Sequence, residues 1–236
     1  MAAILVIETS TEVCSVALTI DGELADLIES KEGQNHARLV TVFAKKLLER
    51  NNIKPIDLVA VAVSKGPGSY TGLRIGVSTA KGICFARHIP LIAIGTLEAM
   101  ARWVMQNRKL YSITEAMPTL FCPMIDARRM EVFSMVYGQD GSVVKPITAV
   151  IVDEDFLSAE LTGNQIVFFG NGSEKCRQVL KSSNAIFISD IDASAEFMCD
   201  MAWQFYNKNK FEDVAYFEPF YLKDFVATVS KKNIPG

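Results

Sequence analysis

Histidine is almost missing from this sequence: His36 and His88 are the only two in 236 residues. They lie far apart, with no second histidine three to five positions away, so no H-x-x-x-H type of metal pair is present. Nor can two isolated histidines furnish a Ser-His-Asp or Cys-His nucleophilic centre by local spacing. Cysteine is sparse and odd in number. Cys14, Cys84, Cys122, Cys176 and Cys199 are widely separated, form no CxxC pair and sit mostly in apolar runs, which reads as reduced core cysteine and not as a disulfide framework. Long apolar runs are missing too: none approaches the roughly 18 residues that a membrane helix needs. The opening MAAILVIETS meets an acid early and has no basic flank, so a signal peptide is not expected, and the expected address is the cytoplasm. Basic clusters are confined to pairs such as Lys45-Lys46, Arg128-Arg129 and Lys231-Lys232 in a chain of net charge −3. Tight nucleic-acid binding by this chain alone is therefore not expected, because phosphate neutralisation needs a basic face.

What the chain does have is apolar content, half of all residues, enough to bury one large domain or two small ones. Leu58 to Val63 is a continuous Val/Ala-rich run suited to a strand buried on both faces. The turn Ser64 to Thr71 follows, with Gly66, Pro67 and Gly68 as punctuation and Ser69 or Thr71 as helix caps. Such a glycine-rich strand-to-helix turn is either purely structural or a cradle of free N–H groups for phosphate. It is not a Walker A motif, since no Gly-Lys-Ser/Thr follows. Gly72 to Arg87 reads as a helix. Leu73, Val77, Ala80 and Cys84 share one face, and Gly72, Gly76, Thr79 and Ile83 form a neighbouring stripe of mostly small residues. Glycine inside a helix costs about 1 kcal/mol against alanine, so Gly72, Gly76 and Gly82 call for a compensating close approach, most simply of another helix.

The remaining elements repeat an order. Strands are expected at 3–7, 15–20 and 24–29, a helix over Asn35 to Arg50 capped by Asn35, the strand and helix just described, a strand at 91–94, and a helix from a Thr96 cap to Met105. Arg102 to Pro118 is the connection. Strands at 119–125, 130–137 and 147–152 then lead to a helix at 153–161, a strand at 166–169, a helix at 174–181, a strand at 185–188 and a helix at 192–206. Both parts read β-β-β-α-β-α-β-α, giving an α/β chain of two subdomains, 1–105 and 106–236, with the last helix and tail returning to the first. Two such halves flanking a cleft are the order of the actin, sugar-kinase and heat-shock ATPase architecture. That order would place Glu8 to Thr11, Asp126 and the Gly170 to Gly172 turn at the cleft, and it would permit a nucleotide-dependent phosphotransferase. Turns after strands are polar in any α/β protein, so only the duplicated order links them.

Four segments carry a more particular resemblance: ILVIETST, GPGSYTGLRIGVSTAKGI, DARRMEVF and FYLK. Together they resemble the bacterial TsaB family, also called YeaZ, which is similar in turn to glycoprotease-like peptidases. The resemblance implies a role in making N6-threonylcarbamoyladenosine on tRNA, as a non-catalytic partner of the paralogous transferase TsaD, with the ATPase TsaE. It implies docking through the helices 35–50 and 72–87, using His36, Leu39, Phe43, Leu47, Gly72, Leu73, Gly76, Val77, Thr79, Ala80 and Ile83, either to TsaD or, for the chain alone, to a second copy. Spacing alone leaves open that both helices spend these faces on the core. The catalytic paralogue carries two metal-binding histidines where this chain has only His36, with Arg38, Leu39 and Thr41 beside it, so no metal and no catalytic residue is assigned. Glu8 stands where nucleotide-hydrolysing relatives place an aspartate. The nucleotide or phosphate loop would comprise Glu8, Thr9, Ser10, Gly66, Gly68, Ser69, Thr71, Asp126, Gly170 and Gly172, serving at most a weak ATP or ADP contact at a subunit interface. No cofactor is required by this chain, tRNA is met only through the complex, and a peptidase is the remotest reading.

Overall fold

The computed structural model describes residues 1–32, 35–111, 113 and 117–222. In the first half, β1 (Ala3–Glu8), β2 (Cys14–Ile20), β3 (Glu23–Ser30), β4 (Leu58–Gly66) and β5 (Leu91–Gly95) form one sheet in the order β3-β2-β1-β4-β5. Asp21 and Gly22, both at positive φ, close the β2–β3 hairpin. β1 and β4 are the central pair, parallel to each other, and are buried along almost their whole length, as their unbroken apolar runs require. The second sheet contains β6 (Thr119–Asp126), β7 (Glu131–Tyr137), β8 (Val143–Ile151), β9 (Gln165–Phe169) and β10 (Ala185–Phe187). Its order, β8-β7-β6-β9-β10, repeats the first with the same parallel and antiparallel joins. The fold is thus the duplicated actin-like one.

Helices cover the two sheets unequally. α1 (His36–Arg50) and α2 (Tyr70–Arg87) lie side by side on the outer face of the first sheet, burying Val40, Phe43, Leu47, Val77, Ala80 and Cys84 against Leu5, Ile7, Val16, Val61 and Val63. The inner faces exchange their helices. α3 (Thr96–Gln106) follows the first sheet in sequence, yet Leu97, Met100, Ala101 and Val104 pack on Phe121, Ile125, Val167 and Phe169 of the second. α5 (Cys199–Asn207) ends the second half, yet Met201, Ala202 and Phe205 pack on Ile4, Val6, Ala62 and Ile92 of the first. α4 (Ser158–Gly163) and a 3₁₀ turn, Glu174–Gln178, cover the outer face of the second sheet. After α5 the chain crosses the edge of the first sheet, where the Glu212 N–H donates to the Leu91 carbonyl (2.9 Å). It then runs along α2, whose Lys81 Nζ donates to the Ala215 and Phe217 carbonyls at 3.1 and 3.0 Å.

Several expected helices are shorter than periodicity suggested. The one expected at 153–161 starts only at Ser158, because Asp153 turns back to accept from the Asp155 N–H and Leu157 is left-handed. The helix expected at 174–181 is the short 3₁₀ turn. The one expected from 192 becomes α-helical only at Cys199, since Ser194 Oγ takes the Glu196 N–H and Ser15 Oγ takes the Ala195 N–H, diverting backbone donors to side chains. Asn35 precedes α1 without a side-chain cap bond, and Gly95, not Thr96, is the N-cap of α3.

Candidate functional site

The β1–β2 turn is the first place where a nucleotide would be held, and here it is closed from within. Glu8, Thr9, Ser10 and Thr11 are all buried. The Ser10 N–H donates to Glu8 Oε1 (2.6 Å), the Thr9 hydroxyl donates to the Gly72 carbonyl (2.8 Å), and the Ser69 N–H donates to the Ser10 carbonyl (2.6 Å). The β4–α2 loop and the first turn of α2 are thus bonded to this turn, the loop through the Ser69 N–H and the helix through the Gly72 carbonyl. Glycine makes the contact achievable: a Cβ at Gly68 would collide with Ser10, and one at Gly72 or Gly76 would collide with Thr9. Gly66, at positive φ, lies under the Phe220 carbonyl. Ser69 is the cap of α2, its Oγ accepting from the Gly72 N–H at 3.2 Å, while Thr71 is exposed inside the first turn. Burial holds the Glu8 carboxyl above its ordinary value, so its proton is retained more firmly than in water, an effect opposed by the Ser10 and Ser64 hydrogen bonds.

The rest of the expected loop lies elsewhere. Asp126 is half-exposed, ion-paired with Lys175, and accepts from the Arg128 N–H at 2.8 Å. Gly170 and Gly172 are packed against the backbone of Met124 and of Ile125–Asp126, and the Asn171 side chain accepts from the Asp126 N–H (3.0 Å). Gly170 and Asn171 border a shallow cavity of about 350 Å³ with Glu174, Asp190 and Asp192, and none of the first group lines it. Its basic neighbours are already engaged: Lys31 pairs with Asp192 (2.6 Å) and Arg177 with Glu174 (3.1 Å). With Asp192 and Glu174 so paired, the cavity offers a polyphosphate no uncommitted lysine or arginine among these neighbours. Glu8 to Thr11 are buried under the β4–α2 loop, and none of them borders the cavity beside the Gly170 turn. Among the described residues, no three His, Cys, Asp or Glu side chains come together as a metal site. All five cysteines are buried, with the Cys14, Cys84 and Cys176 thiols pushed up to about 11 and Cys199 to about 12, chiefly by desolvation, so none is a poised nucleophile.

The outer layer of α1 and α2 is the other candidate. His36, Phe43, Leu47, Gly72, Leu73, Gly76, Val77 and Ala80 are buried, whereas Leu39, Thr79 and Ile83 are partly exposed. The glycine stripe is thus corrected: Gly72 and Gly76 face the β1–β2 turn, and the close approach is to Thr9, not to another helix. Val42 belongs to the apolar arc that spacing marks on α1, whereas the outward Phe85 was missed. Phe85 is 75 % exposed and Val42 40 %. Phe85, Lys81 and Gly82 also border an apolar hollow of about 670 Å³ with Asp213, Val214 and Ala215 of the returning tail. The signal was present: Arg74, Ser78, Lys81 and Phe85 recur at i, i+4, i+7 and i+11, about 100° round the helix from the buried stripe.

Comparison with known proteins decides the family. The family model described as TsaD, tRNA N6-adenosine threonylcarbamoyltransferase, matches residues 28–231. The tRNA threonylcarbamoyladenosine biosynthesis protein TsaB of Escherichia coli is 30 % identical over 99 % of this chain and 98 % of its own. The chain belongs to the TsaB family. The TsaB protein of Bacillus subtilis is 29 % identical, over 75 % of each chain. A solved structure of YeaZ from Pseudomonas aeruginosa superposes with a TM-score of 0.78 at 21 % identity, covering 94 % of this chain and all of that one, a likeness of fold. TsaB relatives and the TsaD-described model thus match the same chain.

Proposed function

We propose that the chain is a non-catalytic subunit in the synthesis of N6-threonylcarbamoyladenosine on tRNA, docking a TsaD-type transferase through the outward faces of α1 and α2, with TsaE as a further component. A second copy of the chain competes for the same face, and tRNA is met through the assembled complex. The observation that carries the reading is the pairing of two features within a TsaB-family chain. The β1–β2 turn is plugged by its own β4–α2 loop, which removes the usual phosphate cradle of the fold, while α1 and α2 keep Val42 and Phe85 exposed beside an apolar hollow. Function then lies in the surface and not in the cleft, and no nucleotide is required by this chain itself.

The test is co-purification of the full chain with TsaD and TsaE from the same organism, together with nucleoside analysis of tRNA after the chain is depleted. Loss of N6-threonylcarbamoyladenosine on depletion and stable co-elution with TsaD are expected. Magnesium-dependent ATP hydrolysis by the isolated chain, abolished by Glu8→Ala, would overturn the reading in favour of a phosphotransferase.

A further inference from the structure

Folding gathers basic side chains that the sequence scatters. α1 carries Arg38, Lys45, Lys46 and Arg50 against the single acid Glu49, and α2 carries Arg74, Lys81 and Arg87 with no acid. Seven basic groups and one acidic thus occupy one helical layer of a chain whose net charge is −3, so everything outside that layer is the more acidic. Arg38, Lys45, Lys46, Arg50 and Arg74 are exposed, while Lys81 and Arg87 are partly buried, Arg87 donating to the Pro55 carbonyl. Arg38, Val42, Lys45 and Glu49 form one ridge, and Arg74, Ser78, Lys81 and Phe85 another, with Leu39, Ile75 and Ile83 partly buried in the same layer. Carboxylates nearby offset only part of the charge: Glu49 reaches Lys45 (3.6 Å) and Asp26 reaches Arg50 (3.9 Å), while Asp213 and Glu218 lie on the tail beside α2. Among the described residues, Arg38, Lys46 and Arg74 have no carboxylate partner, and Lys81 is engaged only with tail carbonyls.

Two copies meeting through this layer would set like charge against like around an apolar centre, whereas a partner presenting Asp and Glu there would gain what the second copy loses. We infer that the α1–α2 face selects a protein partner with an acidic helical face, and that its positive charge is what discriminates that partner from a second copy of this chain. The inference rests on the docking role proposed above and adds the chemistry of the partner. A protein surface suits the face better than a nucleic acid does, because exposed Val42 and Phe85 need an apolar counterpart that a phosphate backbone does not offer.

The experiment compares the wild-type chain with the triple variant Arg38→Glu, Lys46→Glu, Arg74→Glu, three exposed positions, after circular dichroism has verified folding. Affinity for TsaD of the same organism is measured from about 0.05 to about 0.5 M salt, a range over which the screening length falls severalfold. Weakening of about tenfold or more with salt, and a comparable loss in the variant at low salt, are expected. Binding indifferent to both salt and charge reversal overturns the inference and leaves the docking role standing. Absence of TsaD binding at every salt concentration overturns the docking role, and a second arm then decides the inference. In that arm wild type and variant are examined by light scattering, alone and mixed, at low salt: the mixture should associate more tightly than either alone, and equal association in all three samples overturns the inference. Tight binding of unmodified tRNA by the wild type, lost in the variant, would reassign the face to phosphate and overturn it too.

Discussion

Gly76 of α2 rests directly on the side chain of Thr9, whose hydroxyl also donates to the carbonyl of Gly72 one turn earlier in the same helix (2.8 Å). Helix and turn are keyed together by the missing side chain. Gly76→Ala should therefore cost about 1 to 3 kcal/mol through overpacking, and Gly76→Leu more. Gly82 is the control. A Cβ there meets nothing, so Gly82→Ala should be neutral or stabilise by up to about 1 kcal/mol through helix propensity. Chemical denaturation of both variants checks the contrast. Equal effects at the two positions would contradict the packing described.

Glu8 gives stability a pH dependence of definite sign. Burial raises its carboxyl above the ordinary 4.5, so the folded state holds this proton more firmly than the unfolded chain does. Its contribution is then complete below about pH 4.5 and is lost as pH rises through the raised value. Glu8→Gln, which keeps an acceptor for the Ser10 N–H, should be more stable than the wild type at neutral pH, with the difference shrinking toward pH 4.5. Thermal melts of both proteins across that range provide the measurement, and a difference that grows toward acid pH would reverse the assignment.

Lys81 fastens the returning tail to α2 by two hydrogen bonds to backbone carbonyls. Replacing it with methionine keeps the stem and removes the donors, and should cost about 1 to 2 kcal/mol. Hydrogen exchange localises the effect. The amides of Phe217 and Phe220, bonded to Asp213 and Lys65, should lose protection while those of β1 and β4 keep it.

The exposed aromatic of α2 should matter to assembly and not to folding. Phe85→Asp, at a position 75 % exposed, is expected to leave the melting temperature within a few degrees of wild type. Its affinity for TsaD should fall by about 2 kcal/mol or more if the ring is a central anchor. Calorimetry and a thermal melt on the same preparation separate the two effects.

Local pattern made much of this fold legible. The apolar runs of β1 and β4, the Asp21-Gly22 hairpin and the buried stripes of α1 and α2 follow from periodicity and turn chemistry, and the repeated strand order made the duplication visible. Three things were not legible, each for a tertiary reason. Spacing marks Gly72 and Gly76 as a small-residue stripe, but whether a stripe faces a partner or a turn such as Thr9–Ser10 depends on where the helix sits. Arg38, Lys46 and Arg74 form no run along the chain and become a face only when α1 and α2 lie side by side. The segment at 192–198 has helical composition, yet Ser194, Ser15 and the left-handed Asp190 draw the backbone elsewhere, while 174–181 forms only the short 3₁₀ turn.

The exchange of inner helices sets a timetable for synthesis. Residues Ile4, Val6, Ala62 and Ile92 lie under Met201, Ala202 and Phe205, so the first sheet emerges from the ribosome with one apolar face bare and keeps it bare until the chain is nearly finished. Contacts that span most of the sequence close slowly, and an uncovered sheet face is a surface for misassembly in the interval. A ribosome stalled before residue 195 would hold a folded outer layer over an unfinished interior.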